Sequence, residues 1–315
     1  MFSPIVKLNY AQLIPDLVKV VYSDPLTGSS PDIELSIINK EKLPVRAGDT
    51  LELELGRANS PYRLRAGFFE IDRIGMQDAV TRVRTIAATG LPLSNSELKT
   101  KRDADYSQYR LVDILTEFAA RYDLTVFTRD LPLVEFSQLA QTNQSDLDFL
   151  NSLGNRLGAL FKIENNQLIF SLLIELEKIP PKFSISEKDY FSYNETVLNT
   201  ETYQYIDYEI VLFGDRQTVT VEDNRVNNGA VKKYRGAAIS ADDPDLVVIA
   251  AREQLRQING ANYLFNIEIL GRHEIIAGST FLVDGRLAFV DRAVHTIDIE
   301  GKKDWMCALN CRYLP

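Results

Sequence analysis

Hydrophobic and polar positions alternate through much of the first ninety residues. Ile33, Leu35 and Ile37 take every second place, and Leu51, Leu53 and Leu55 repeat the pattern in "DTLELELG". A period of two places alternate side chains on opposite faces of a sheet, so these stretches predict half-buried strands. "AGFFEIDRIG" and "AVTRVRTIAATG" follow as two further strands, with "GMQD" as the hairpin connection and Gly75 supplying the turn. The first part of the chain is therefore an antiparallel β unit.

The period then changes. In "YRLVDILTEFAARYDL", Leu111, Ile114, Leu115, Phe118 and Tyr122 fall at spacings of three, four and seven, the stripe of an amphipathic helix. A second helix follows in "QSDLDFLNSLGNRLG", where Ser145 is the N-cap and Asp148 its capping-box partner. Leu147, Leu150, Leu153 and Leu157 form its buried stripe, and Gly158 ends it. "ALFKIENNQLIFS" is a hairpin turned by Asn165-Asn166. After "IPPKFSISEKDY", a proline-marked linker, strand patterning returns in "TYQYIDYEIVLF" and "QTVTVEDN". One helix interrupts it over 244–259, with Asp243 as N-cap, Pro244 at the first helical position and Gly260 as the stop; four strands finish the chain.

A repeat organises these elements. "RAGDTLELELG" followed by "FFEIDRI" has a counterpart in "IAGSTFLVDG" followed by "LAFVDRAV". Ala-Gly-polar-Thr opens a strand at Ala47–Thr50 and again at Ala277–Thr280. Each is followed by an aromatic-rich strand ending in Asp-Arg, Asp72-Arg73 and Asp291-Arg292. Self-similarity at this scale predicts two related β-barrels with an inserted α/β module. The expected division is a first barrel over 1–92 and the insert over 93–180. A linker and strand returning to the first barrel follow over 181–200, then a second barrel with one helix over 201–315.

Composition narrows the chemistry. With 315 residues, 44 acidic and 35 basic, the formal charge is −9, and no Lys/Arg-rich block could neutralise a run of phosphates. Sequence-specific nucleic-acid binding is disfavoured. No secretory leader and no apolar run of about 18 residues is present, so the expectation is a soluble protein without a membrane anchor, made and kept in a cytoplasm. Cys307 and Cys311, the only cysteines, would lie on one strand face roughly 13 Å apart, too far for a disulfide. With only His273 and His295 besides, their spacing fits no zinc module. No metal, cofactor or catalytic residue is expected. His295 has no serine elbow to serve, and Trp305 with the tyrosines at 190, 193, 203, 205 and 208 reads as sheet packing, then as interface burial, ahead of a stacking platform for bases or sugars.

Two carboxylate patterns compete for a role. Asp146 and Asp148 open a helix about 200° apart around its axis, which suits a cap and the helix dipole rather than an acid/base pair. Glu52, Glu54, Glu70 and Asp72 sit out of phase with buried leucines, giving the strands an acidic outer face. That face is either solvated, with cross-strand ion pairs from Glu70 or Asp72 to Arg82 or Arg84, or directed at a lumen or partner.

The order "GFFEIDRI", "LKTKRDADYSQYRLVDILTEFAARYDL", "QTNQSDLDFLNSLGNRLGALFKIENNQLIF" and "AAREQLRQINGANYLFNIEILGRHEIIAGSTFLVDGRLAFVDRAVHTID" resembles the phage late control D proteins, from about 30 to 313. The resemblance implies a mainly β (α+β) fold with two tube-type antiparallel barrels and an inserted α/β module. It also implies a non-enzymatic hub of a contractile tail baseplate, related to the hub half of type VI secretion spike proteins. The implied homotrimer forms a pseudo-sixfold ring adapting a sixfold tail tube to a threefold spike, with the acidic faces at Glu52, Glu54, Glu70 and Asp72 toward the lumen and the helix 244–259 packed against the ring. Implied partners are further copies of itself, the tail tube or tube-initiator protein, the central spike, baseplate wedge proteins and the tape measure protein. The implied location is the virion, with assembly in the host bacterial cytoplasm. No spike follows Pro315, so a stand-alone hub is expected. Two other classes stand beside it. "YRLVDILTEFAARYDL" loosely resembles the helix of peptidoglycan-binding LysM modules, which would imply a cell-wall binding or degrading protein. A carbohydrate-active β-sandwich would instead need paired carboxylates at a cleft.

Overall fold

The computed structural model describes every residue except 1–3, 28–29, 39–42, 59, 79–82, 91–95, 130, 132, 198–201, 213–214, 225, 227–232, 236–238, 241–243, 261–262, 302 and 315. One large sheet dominates. Its strands run, side by side, Pro4–Leu8, Thr50–Arg57, Arg63–Asp78, Val83–Thr89, Asp32–Ile38, Leu17–Pro25, Arg286–Asp298, Lys303–Tyr313, Tyr263–Leu270 and Tyr190–Val197; Thr280–Val283 and Ser184–Ile185 join beside Arg286–Asp298.

This order contains the same unit twice. From Thr50–Arg57 to Leu17–Pro25, five strands follow one another as their counterparts do from Thr280–Val283 to Tyr190–Val197. The registers agree residue by residue. Ile33 faces Ala88 as Phe265 faces Cys311, and Val20 faces Leu35 as Tyr193 faces Ile267. Even the irregularities recur: bulges interrupt the ladder between Ile71 and Arg73 and between Val290 and Arg292, and again between Leu17 and Lys19 and between Tyr190 and Ser192. The Ala-Gly turns match as well. Gly48 N–H donates to the Ile71 carbonyl (2.8 Å) and Ile71 N–H to that of Asp49 (2.9 Å); Gly278 N–H donates to Val290 (2.9 Å) and Val290 N–H to Ser279 (3.0 Å). Both glycines hold positive φ, +90° and +81°, where a side chain would be strained. A bulge conserved in both copies is a built feature that re-aims the strand.

The two units are fused rather than separate. Leu17–Pro25 pairs with its own unit on one edge and with Arg286–Asp298 of the other unit on its second edge, so the two units share one continuous sheet. At this junction Tyr22 stacks on His295 (5.8 Å, 17°), and Trp305 Nε1–H donates to His295 Nδ1 (3.1 Å). Each unit keeps its own core. Leu51, Leu53, Leu55, Ile33, Leu35 and Ile37 fill the first, and Phe265, Ile267, Phe281, Val290 and Leu309 the second. Cys307 and Cys311 are free and buried there.

Three expectations change. Arg63–Asp78 runs straight through Gly75, which pairs with Thr85, so Gly75 is a strand residue and not the hairpin connection; residues 79–82 lie outside the described residues. Tyr190–Val197, expected to return to the first barrel, pairs with Tyr263–Leu270 of the second unit. Tyr205–Leu212 and Asp215–Glu222 do not enter the large sheet; they form a small sheet against a helix. Strand pattern states which residues alternate, not which neighbour they find.

Among the described residues there are four α-helices, α1 Leu111–Arg121, α2 Asp146–Leu157, α3 Leu173–Glu177 and α4 Pro244–Gly260. α1 and α2 pack with two small sheets, one of Ala159–Glu164, Gln167–Leu172 and Thr125–Arg129, the other of Lys101–Asp105 and Ala140–Ser145. α1 buries Leu111, Ile114, Leu115 and Phe118 as its spacing required. In α2, Phe149 joins Leu150, Leu153 and Leu157 in the buried stripe while Leu147 is only half-buried. Asn165 and Asn166, at φ +51° and +60°, turn the predicted hairpin. α4 covers the small sheet through Val247, Ala251 and Leu255; its expected cap, Asp243, lies outside the described residues.

Candidate functional site

The four acidic residues occupy the face of the first unit opposite its leucine core. Glu52 and Asp72 are exposed, and Glu54 and Glu70 half-buried. Glu54 is paired, with Lys7 at 3.2 Å and Arg65 at 3.3 Å. Glu70 stands between Thr50 and Thr89, and Asp72 occupies the bulge after Ile71. Arg84 faces Met76 and Ile37, so the expected pairing of Glu70 or Asp72 with Arg84 is not a cross-strand neighbour relation, and Arg82 lies outside the described residues. The bulges shift the register by one residue at each site, which sequence alternation alone does not reveal. These acids line a surface and do not converge on one point.

Asp146 is the larger surprise. It is fully buried and gathers Arg121 Nη1 (2.6 Å), Arg102 Nε (3.1 Å), Gln141 Nε2 (2.8 Å) and the Tyr122 hydroxyl. Asp148 behaves as expected, its N–H donating to Ser145 Oγ at 3.1 Å. The two aspartates are therefore unlike: one caps α2, the other holds together the core of the insert.

Two further buried charge clusters, invisible in sequence, fix the modules to one another. Lys162 of the insert pairs with Asp24 of the large sheet and, at 2.9 Å, with Glu164; Asp24 also accepts from Ala277 N–H (2.9 Å). Burial would lower the Lys162 pKa, but Asp24 and Glu164 raise it overall, keeping the ammonium charged. The second cluster joins α3, α4 and the second unit. Glu177 accepts from Arg256 Nη1 (2.6 Å) and Arg312 Nη2 (2.8 Å), while Arg256 also grips Glu253 and Arg312 grips Asp291. Burial opposes ionisation of Glu177, yet the two guanidiniums bring its pKa below the usual range.

Besides the two-residue Ser184–Ile185, two strands of the large sheet have only one neighbour among the described strands, Pro4–Leu8 at one end and Tyr190–Val197 at the other. The second is unusual in its exposure. Its counterpart Leu17–Pro25 is mostly buried, whereas Tyr190–Val197 is exposed or half-exposed throughout, with Phe191 62% and Val197 52% accessible. Open apolar edges invite pairing and are normally blunted or covered.

Among the described residues no group of three or more His, Cys, Asp or Glu side chains could hold a metal ion, and no helix is long and apolar enough to cross a membrane. His295 is wholly buried, its pKa pushed down to about 4 by desolvation, and its Nε2 bonds the Ile275 carbonyl (2.9 Å). It is a structural residue.

The whole fold, both units and the α/β insert included, is similar to the folds of phage tail proteins and of a type VI secretion component. It agrees with the tail-hub resemblance of the sequence. The similar structures include the tail protein from Neisseria meningitidis MC58 (TM-score 0.70, 10% identity, 98% of this chain and 96% of that one). The 43 kDa tail protein of prophage MuSo2 from Shewanella oneidensis has TM-score 0.68 at 9% identity, covering 98% and 97%. The E. coli c3393 protein is a component of the type VI secretion system with structural similarity to the T4 tail proteins gp27 and gp5; its TM-score is 0.61 at 10% identity, covering 99% and 77%. No family model and no curated protein matches the sequence.

Proposed function

We propose that this chain is the structural baseplate hub of a contractile phage tail or related injection device, a homotrimer that adapts a sixfold tail tube to a threefold central spike. The observation that carries the reading is the duplicated unit with matching strand order, register and bulges. Three chains with two like units each present six similar units to a sixfold ring while retaining threefold symmetry for a spike. Such a role rests on shape and needs no catalytic residue.

In this reading the two units build the ring and the 93–180 insert sits at its periphery, held there by Lys162–Asp24 and the Glu177 cluster. Glu52, Glu54, Glu70 and Asp72 face the lumen or a docked partner, adding to the repulsion of DNA by a chain of net charge −9. The partners are a tail tube or tube-initiator protein, the central spike, baseplate wedges and the tape measure protein. The location is the virion baseplate after assembly in the host cytoplasm.

Mass measurement by sedimentation or light scattering tests it. The expected species has three times the 35.7 kDa mass of the chain; a monomer persisting at high concentration, alone and with a spike protein, overturns the reading. Release of muropeptides or retention on peptidoglycan by the same preparation would favour a cell-wall role instead.

A further inference from the structure

The junction inside one chain says how two chains meet. Within the chain, Leu17–Pro25 of the first unit lies antiparallel on the outer half of Arg286–Asp298 of the second, Tyr22 opposite His295 and Asp24 opposite Ala293. The internal repeat assigns each of these strands a twin. Leu17–Pro25 corresponds to Tyr190–Val197, because Val20, Tyr22 and Asp24 match Tyr193, Glu195 and Val197 through the shared registers. Arg286–Asp298 corresponds to Arg63–Asp78, Val290 and His295 matching Ile71 and Met76.

In each pair the twin has lost its partner. His295 and Ala293 are fully buried beneath Leu17–Pro25, whereas Met76 is 57% exposed and Ile74 half-buried. Asp24 is 2% exposed at the junction, its twin Val197 52%. Thr50–Arg57 pairs only as far along Arg63–Asp78 as Glu70, and no other described strand lies on that side of the segment beyond Ile71. Among the described residues, one molecule thus carries a strand edge and a ladder segment without a neighbour, twins of two strands that are already bonded to each other.

We infer that Tyr190–Val197 of one copy pairs antiparallel with the 73–78 segment of the next, Glu195 opposite the neighbour's Met76 and Val197 opposite its Ile74. This repeats between chains the contact that joins the units within a chain. The contact is head-to-tail, so it forms a ring if the rotation closes and a filament if it does not. It rests on the proposed trimeric hub for its closure at three chains, and specifies which strands make the interface. Backbone pairing continues the sheet across the boundary, while Val197, Ile74 and Met76 lose their exposure to water.

Engineered thiols test it in the full-length chain. Facing residues of an antiparallel pair have Cα atoms about 4.5–5.5 Å apart, within disulfide reach. Met76→Cys combined with Glu195→Cys is therefore expected to give dimers and trimers on non-reducing gels after mild oxidation, lost on reduction and absent from either single variant; the native Cys307 and Cys311 are buried. Val6→Cys with Glu195→Cys probes the alternative, in which the two end strands of the sheet meet each other. A thiol-independent readout is Met76→Lys, expected to raise the trimer dissociation constant about tenfold or more with an unchanged melting temperature of the monomer. A trimer by mass that fails to cross-link through Met76 and Glu195, and is unmoved by Met76→Lys, overturns this interface and leaves the hub reading standing. A chain that stays monomeric overturns both.

Discussion

Asp146 and His295 show what burial does to a single titratable residue. Asp146 is fully enclosed with two arginines, a glutamine and a tyrosine around it. Removing its carboxylate leaves Arg102 without its acidic partner and Arg121 with Glu117 alone, so Asp146→Ala is expected to cost about 3 kcal/mol. Asp148→Ala removes only a capping interaction and should cost about 1 kcal/mol. Chemical denaturation of the two variants measures the difference; equal losses would contradict it. His295 is held neutral, with a pKa of about 4 below its ordinary 6.5. The unfolded chain therefore takes up the proton first, and stability present in full above about pH 6.5 falls as pH drops toward 4, by about 3 kcal/mol in the limit. The melting temperature should fall between pH 7.5 and pH 5, and His295→Gln should flatten that slope.

At the scale of elements, the hairpin turn of the insert docks on the sheet at Gly67. This residue has φ +103°, and Asn165 Oδ1 accepts from the Phe68 N–H at 3.1 Å. A Cβ on Gly67 would overlap the Asn165 amide. Gly67→Ala is thus penalised twice, by conformation and by contact, and should cost about 2 kcal/mol or more. Asn165→Ala removes one hydrogen bond and should cost about 1 kcal/mol. Thermal melts check both, and increased proteolysis within 93–180 would show that the docking contact was lost. α1, α2, α4 and the Asn-Asn hairpin were legible in the sequence because their signals are local, whereas the short α3 was not. The extent of Arg63–Asp78 was not: Gly75 reads as a turn signal, yet pairing with Thr85 carries the strand through it.

At the scale of the molecule, the decisive feature is that one unit occurs twice and the copies differ in what covers them. The long excursion between Tyr190–Val197 and Tyr263–Leu270 carries a small sheet and α4, where the first unit has only a short connection between Leu17–Pro25 and Asp32–Ile38. α4 is tied back through Arg256 to Glu177 and Glu253, and Glu177 is shared with Arg312 of the second unit. Arg256→Met should therefore loosen α4 more than the large sheet. Hydrogen exchange is expected to rise in α4 and the small sheet while the ladders around Leu53 and Leu309 stay protected; uniform exchange would contradict this.

By itself the sequence determined what is local or repeated: the alternation that makes strands, the stripes of α1 and α2, the caps of α2, and the paired Ala-Gly-polar-Thr and Asp-Arg motifs that announce two like units. Those signals survive in sequence because each depends on neighbours within a few positions. The fusion of both units into one sheet, the burial of Asp146, the matching bulges at Asp72 and Asp291 and the bare edge at Tyr190–Val197 were decided only by tertiary structure. They depend on which distant strand lies alongside, and a pattern of period two is the same whichever neighbour is found.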